Sequence, residues 1–128
     1  MSGETQKALD AATRITTVCD VIALIVAEGE EAFSTNVQAQ WAAEMGLIRI
    51  GEAVAKIPEP VRQRFADQPW RQIIGMRNFA AHQYDDLDPH RVWRTLTRDV
   101  PRLRAYLDDV VIPALDGGLR SNPSLSHA

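Results

Sequence analysis

The chain has 128 residues, of which 45% are hydrophobic and 24% are charged, and its net charge is −3. This length is enough for one domain with a buried core, and the composition is typical of a globular protein. The acidic balance argues against broad, non-specific nucleic-acid binding, and the single cysteine excludes an intrachain disulfide or a thiolate metal cluster. We expect a cytoplasmic protein with no membrane span, since the most apolar run, residues 18–27, is too short and contains Asp20.

Apolar residues at three- and four-residue spacing predict an all-α protein. A first helix over about residues 5–27 should end at Gly29. A second helix over about residues 35–57, capped by Ser34 or Asn36 and ended by Pro58, is apolar on several sides. That distribution favours a position at the centre of a helical bundle.

The second half of the chain predicts two more long helices. A linker with one short helix near residues 61–66 precedes a third helix over about residues 70–82. Asp88 should cap a fourth helix over residues 89–115, in which Pro101 should cause a kink or a break near Asp99. The predicted core stripe of this helix is Val92, Trp93, Leu96, Val100, Leu103, Leu107 and Val110.

These elements predict an up-and-down four-helix bundle with a short extra helix between its second and third helices. The helical domain should span residues 1–116. Residues 117–128 hold glycine, serine, asparagine and proline with little to bury, so we expect them to form a mobile tail.

Arg77 stands on an apolar stripe of the third helix, among Trp70, Ile73, Ile74, Ala80 and Ala81. A guanidinium is always charged, and burying it without an anion is costly. One interpretation is structural: Arg77 pairs with Glu52 or Glu44, and His82 is a capping histidine. The other is that the charge is kept for a ligand.

His82 gives the second interpretation its chemistry. It lies five residues after Arg77, about 140° around a helix, and fraying at Ala81 or His82 would let the imidazole approach the guanidinium. An imidazole can transfer a proton near neutral pH, and a guanidinium can stabilise charge on a phosphate. The pair suits metal-independent phosphodiester transfer from a ribose 2′-OH, and a second copy at a twofold axis would supply the second histidine.

The segment Trp70-x-x-Ile73-x-Gly75-Met76-Arg77-Asn78-x-x-x-His82-x-Tyr84 resembles the HepT-like branch of the HEPN superfamily. Further similarity is carried upstream by Gly51-Glu52-Ala53 and downstream by Val92-Trp93 and Asp99-Val100-Pro101. The resemblance covers roughly residues 10–110.

The resemblance implies an HEPN-like homodimer that cleaves RNA without a cofactor or a metal, as the toxin of a toxin–antitoxin pair. Arg77 and His82 are then the catalytic residues, and Asn78 and Tyr84 support the site or bind substrate. It also implies a nucleotidyltransferase antitoxin of the MntA type that attaches AMP to Tyr84. A phosphate and an adenosine at that position would obstruct the site.

A different class of function stays open from the residues alone. The bundle could be a non-catalytic subunit of a nucleotidyltransferase, in which the arginine and the histidine bind a nucleotide or a partner. Cleavage of RNA in excess EDTA that is lost in His82→Ala would separate the two classes.

Other features have simpler interpretations. One face of the fourth predicted helix carries Arg91, Arg94, Arg98 and Arg102. This face is either a solvated surface or a surface along which an RNA backbone binds. The spacing of His82, Asp85, Asp86, Asp88 and His90 matches no compact metal motif. Trp41, Trp70 and Trp93 lie on apolar stripes and are expected in the core.

Overall fold

The computed structural model describes the backbone of residues 2–82 and 88–120 and the side chains of residues 3–77 and 88–117. The first range contains α1 (Ser2–Ala27), α2 (Glu30–Thr35), α3 (Val37–Ala55), α4 (Glu59–Arg64) and α5 (Trp70–His82). The second range is a nearly continuous helical rod: α6 (Pro89–Arg94), π1 (Thr95–Asp99), α7 (Val100–Tyr106), π2 (Leu107–Val111) and α8 (Ile112–Arg120). The predicted all-α bundle is confirmed, and the described ranges contain no strand.

The first helix ends where the sequence predicts. Gly29 has a φ of 95°, a left-handed conformation that favours glycine, and its N–H donates to the carbonyl oxygen of Val26 at 3.0 Å. The short helix α2 was not predicted, because its six residues are too few to show a period. Asn36 then caps α3, since its side-chain oxygen accepts from the backbone N–H of Ala39 at 3.0 Å.

Helix α3 buries one side rather than several. Ala43, Leu47, Ile50 and Val54 belong to the core, whereas Val37, Trp41 and Met45 are 52%, 66% and 49% exposed. The expectation that Trp41 is a core residue is therefore wrong. Trp70 is buried, and Trp93 is half-buried with its ring 5.4 Å from that of Phe33.

The rod contains two π-helical turns, and each ends two residues before a proline. π1 precedes Pro101 and π2 precedes Pro113. A proline has no N–H and its ring crowds the carbonyl four residues earlier, and a wider turn accommodates both effects. The interruption predicted near Asp99 thus takes the form of π1. After Leu107, the buried residues are Val111 and Leu115, so the core position predicted for Val110 is wrong.

The core holds the helices of the bundle together. α3 packs between α1 and α5, and the rod packs against α1 and α2. Arg104 of the rod donates to the carbonyl oxygen of Thr16 at 2.9 Å and pairs with Asp20 of α1 and Asp108 of π2. Helix α8 continues to Arg120, past the predicted end near Leu115.

Candidate active site

The start of α5 is fixed by Trp70. Its indole Nε1–H donates to the carbonyl oxygens of Phe65 at 2.9 Å and Arg62 at 3.1 Å, and its ring lies 6.3 Å from that of Tyr106. Phe65 and Tyr106 are also in edge contact, with ring centroids 6.4 Å apart. Trp70 and Ile73 are both buried, so the turn of α5 that leads to Arg77 is anchored in the core.

Arg77 lies where α5 packs closely against Gly51 of α3. A Cβ added to Gly51 would be 2.9 Å from the Cβ of Arg77, 3.0 Å from its backbone nitrogen and 3.1 Å from the carbonyl oxygen of Ile74. These distances are too short for any residue but glycine, so the two backbones touch at this point. Arg77 is half-buried there. The crossing therefore fixes the backbone and the Cβ of the predicted catalytic arginine.

The described residues provide no anion for Arg77, which forms none of the salt bridges among them. Glu52 instead lines a groove between α1 and α3 together with Arg14, Arg49 and Lys56. Glu44 lies two turns before Gly51, and burial raises the pKa of its carboxyl. The pairing of Arg77 with Glu52 or Glu44 that the structural interpretation requires is therefore absent.

The other predicted site residues lie at the limit of the described chain. The backbone of α5 remains helical through His82, so the fraying considered at Ala81 or His82 does not occur within the helix. At this spacing, His82 is about 7.5 Å along the axis from Arg77 and about 140° around it. The side chains of Asn78 and His82, and all of Tyr84, lie outside the described residues.

The acidic and histidine residues considered for a metal site have other partners where the structure describes them. Asp88 caps α6 as predicted, since its Oδ1 accepts from the backbone N–H of His90 at 3.0 Å. The Nδ1 of His90 lies 3.1 Å from Oε1 of Glu30. His82, Asp85 and Asp86 are not described at the side-chain level.

Cys19 offers no alternative nucleophile. It is buried, and burial raises the pKa of its thiol to about 11. A thiol that stays protonated at neutral pH reacts slowly and binds metals poorly. Cys19 is thus a small core residue.

The arginines of the fourth predicted helix divide into two pairs. Arg91 and Arg102 line a cavity between α5 and the rod, whereas Arg94 and Arg98 do not. All four are exposed, in keeping with the shared helix face that the sequence predicts. This cavity and the contact of Gly51 with Arg77 were not predicted.

None of the helices in the described ranges combines the length and the apolar character that a membrane span requires.

The family profile described as "Ribonuclease HepT-like" matches residues 9–110. A protein of Methanocaldococcus jannaschii named "Putative RNase MJ1216" is 32% identical over 81 residues, which cover 63% of this chain and 67% of that protein. "Probable ribonuclease HepT" of Thermococcus cleftensis is 32% identical over 78 residues, covering 61% and 71%. No solved structure gives a significant match.

Proposed function

Because the chain belongs to the HepT-like ribonuclease family and is an endoribonuclease, we propose that Arg77 and His82 carry out the cleavage of RNA. The observation that carries this assignment concerns Arg77, a half-buried residue whose Cβ and backbone lie against Gly51 and whose side chain has no carboxylate partner among the described residues. A cation held in this way is prepared to receive a phosphate.

The proposed reaction is an in-line phosphoryl transfer that needs no metal. One neutral imidazole takes the proton of the ribose 2′-OH, and the 2′-oxygen forms a bond to the adjacent phosphorus. The bond from phosphorus to the 5′-oxygen breaks, and a protonated imidazole gives its proton to that oxygen. The products are a 2′,3′-cyclic phosphate and a free 5′-hydroxyl. The guanidinium of Arg77 stabilises the negative charge on the phosphoryl oxygens in the transition state.

This reaction uses two imidazoles, which is why we propose a homodimer. In one chain, the backbone positions of His82 and Arg77 lie about 140° apart around the same helix, so we propose a second copy as the source of the second proton carrier. The exposed apolar stripe of Val37, Trp41 and Met45 on α3 supports such a contact, because isolated soluble chains rarely expose contiguous apolar surface. Ala80 and Ala81 are small enough for a close approach of two helices.

We further propose that the enzyme acts as the toxin of a toxin–antitoxin pair and that its antitoxin is a nucleotidyltransferase of the MntA type. That partner would transfer AMP to the phenol of Tyr84, two residues after His82. The added phosphate would compete for Arg77 and the adenosine would block access to the site. Asn78, which follows Arg77, would help to hold a phosphate oxygen.

The test combines cleavage with growth arrest. Purified protein should cleave RNA in excess EDTA, and Arg77→Ala and His82→Ala should each abolish cleavage and growth arrest while the dimer remains folded. Full toxicity in His82→Ala would overturn the assignment. Incubation with the partner and ATP should add AMP steps to the intact mass, and Tyr84→Phe should prevent this. Labelling of Tyr84 by a protein that never cleaves RNA would favour the nucleotide-binding subunit instead.

A further inference from the structure

A cavity of about 660 Å³ lies between α5 and the first half of the rod, and the proposed catalysis does not use it. Its size lies within the range of pockets that hold small organic ligands. Apolar side chains such as Leu47, Ile73 and Leu103 form its inner surface. Polar side chains add hydrogen-bonding groups and charge: Gln72, Arg91, Thr95, Asp99 and Arg102. Arg77 is not part of the lining.

Gly75 is a second feature of this surface, because the described residues give no packing reason for a glycine there. It lies inside α5, where glycine weakens a helix, and it lines the cavity. The other glycines of the helix pair α3–α5 have packing reasons: a Cβ at Gly46 would lie 3.1 Å from Ile22, and one at Gly51 would collide with Arg77. A Cβ at Gly75 would meet no described atom within 4 Å. The described part of the chain therefore gives no reason for glycine at this position, whereas a ligand against the helix backbone does.

The chemistry of the lining fits a nucleotide. Arg102 provides a guanidinium group for a phosphate, and Asp99 is the single carboxylate among the described residues of the lining. The amide of Gln72 can pair with the edge of a base, while the apolar surface takes its face. The hydroxyl oxygen of Thr95 can accept a further hydrogen bond, since its proton is donated to the carbonyl oxygen of Arg91 at 3.2 Å. Single-stranded RNA is recognised through unstacked bases held in this manner.

We propose that this cavity binds one nucleotide of the single-stranded RNA substrate beside the scissile bond, an inference that rests on the proposed ribonuclease function. Gly75 and Arg77 are two residues apart and face opposite sides of α5. One strand that crosses this helix can therefore engage both Arg77 and the cavity. Arg102 contacts a phosphate of that strand, and the base lies against Gly75.

The test measures binding separately from cleavage. An unstructured 2′-O-methyl oligoribonucleotide has no 2′-OH to attack, so its affinity for the full chain can be measured in EDTA. Arg102→Glu should weaken binding about tenfold and lower the salt slope by about one unit. Arg98→Glu is the matched control, since it makes the same charge change four residues away at an exposed position that does not line the cavity. It should alter affinity less than about threefold.

Gly75→Leu places a side chain in the cavity without changing charge, and we expect the variant to fold because a Cβ there meets no described atom within 4 Å. It should also weaken oligonucleotide binding about tenfold, with an unchanged or raised melting temperature. Equal weakening by Arg102→Glu and Arg98→Glu, or full binding by Gly75→Leu, would overturn the proposal. A third outcome would also overturn the proposal: free AMP binds, Gly75→Leu blocks this binding, and the oligonucleotide does not compete with it. The cavity would then be assigned to a free nucleotide.

The two proposals fail in different ways. Wild-type protein that binds the 2′-O-methyl oligonucleotide through Arg102 but never cleaves ordinary RNA in EDTA would refute the catalytic assignment and keep the cavity. If wild type, Arg102→Glu and Gly75→Leu all cleave RNA equally well, the catalytic assignment stands and the proposed role of the cavity is refuted.

Discussion

Gly51 of α3 and Arg77 of α5 are in contact so close that a Cβ on Gly51 would lie 2.9 Å from the Cβ of Arg77. The distance to the backbone nitrogen of Arg77 would be 3.0 Å, so rotation of a side chain cannot relieve the collision. The residue that we assign to phosphate stabilisation is thus held by the backbone of a neighbouring helix. This contact connects the packing of the bundle directly to the geometry of the site.

Gly51→Ala should therefore damage both stability and cleavage. We expect a loss of about 1–3 kcal/mol in the free energy of unfolding, because the methyl group forces α3 and α5 apart. A displacement of Arg77 by about 1 Å can reduce kcat/KM about 100-fold. Urea unfolding measures the loss of stability. The kcat/KM of RNA cleavage, determined with folded protein, measures the loss of activity separately.

Gly75→Ala is the matched control for this stability effect, because the same methyl group, in the same pair of helices, meets no atom of the described residues within 4 Å. It should raise the free energy of unfolding by about 0.5–1 kcal/mol through helix propensity alone. If Gly51→Ala proves as stable as Gly75→Ala, the close contact between Gly51 and Arg77 is not present in solution.

Tyr106 predicts a loss of stability at alkaline pH. Its hydroxyl donates to Oδ1 of Asp67, and burial followed by this bond raises the pKa of Tyr106 to about 12 from its ordinary 10.0. Since the folded state keeps the proton longer than the unfolded state, the stabilisation is complete below pH 10 and is lost as the pH rises towards 12. Unfolding experiments across this range should show a decline that is smaller in Tyr106→Phe.

Tyr106→Phe should also cost about 1 kcal/mol at neutral pH, because it removes a hydrogen bond to a carboxylate but keeps the ring contacts with Phe65 and Trp70. Spectroscopic titration of tyrosinate gives an independent check, since Tyr106 and Tyr84 are the two tyrosines of the chain. An identical alkaline decline in wild type and Tyr106→Phe would contradict the assignment.

Arg104 joins the rod to α1, so its replacement should loosen that contact. Its Nε donates to Oδ2 of Asp108 at 2.8 Å, and its second nitrogen serves both Asp20 and the carbonyl oxygen of Thr16. The side chain is about one-third exposed, which screens the ion pairs, so we expect Arg104→Ala to cost about 1–2 kcal/mol.

Arg104→Lys separates charge from geometry. Lysine keeps the charge but cannot present the planar set of donors, so its stability should fall between those of wild type and Arg104→Ala. Raising the salt concentration should reduce the difference between wild type and Arg104→Ala only in part, because the bond to the Thr16 carbonyl is not an ion pair. Full loss of the difference at high salt would show that this carbonyl bond adds nothing.

The sequence predicted what depends on local periodicity and missed what depends on contacts between helices. The ends of α1 at Gly29 and of α5 near His82, and the cap at Asp88, follow from local signals, and the structure has them. Trp41 was misplaced because an apolar stripe looks the same whether it meets a core or lies on the surface.

The candidate site shows the same division. Arg77 stood out because a charge on an apolar stripe is a local anomaly. Three other features depend on how α3, α5 and the rod pack. They are the contact of Arg77 with Gly51, the lack of pairing between Arg77 and Glu44 or Glu52, and the cavity at Gly75. None of these relations leaves a periodic signal, so spacing alone could not reveal them.

The exposed stripe of Val37, Trp41 and Met45 tests the proposed dimer. These residues follow each other at four-residue intervals on α3, and Trp41 is 66% exposed. Trp41→Glu places a charge at the centre of the stripe, so it should convert a dimer to a folded monomer, as measured by light scattering on a size-exclusion column. Because the proposed reaction uses two copies of His82, RNA cleavage should be lost together with the dimer.

Val110→Glu is the matched control, since Val110 is also exposed, at 41%, but lies on the rod rather than on this stripe. The same charge there should leave both the mass in solution and cleavage unchanged. Unfolding of Trp41→Glu should remain cooperative, because an exposed residue contributes little to the core of one chain. A Trp41→Glu protein that stays dimeric would show that two copies meet elsewhere, whereas a monomer that still cleaves RNA would show that one His82 is enough.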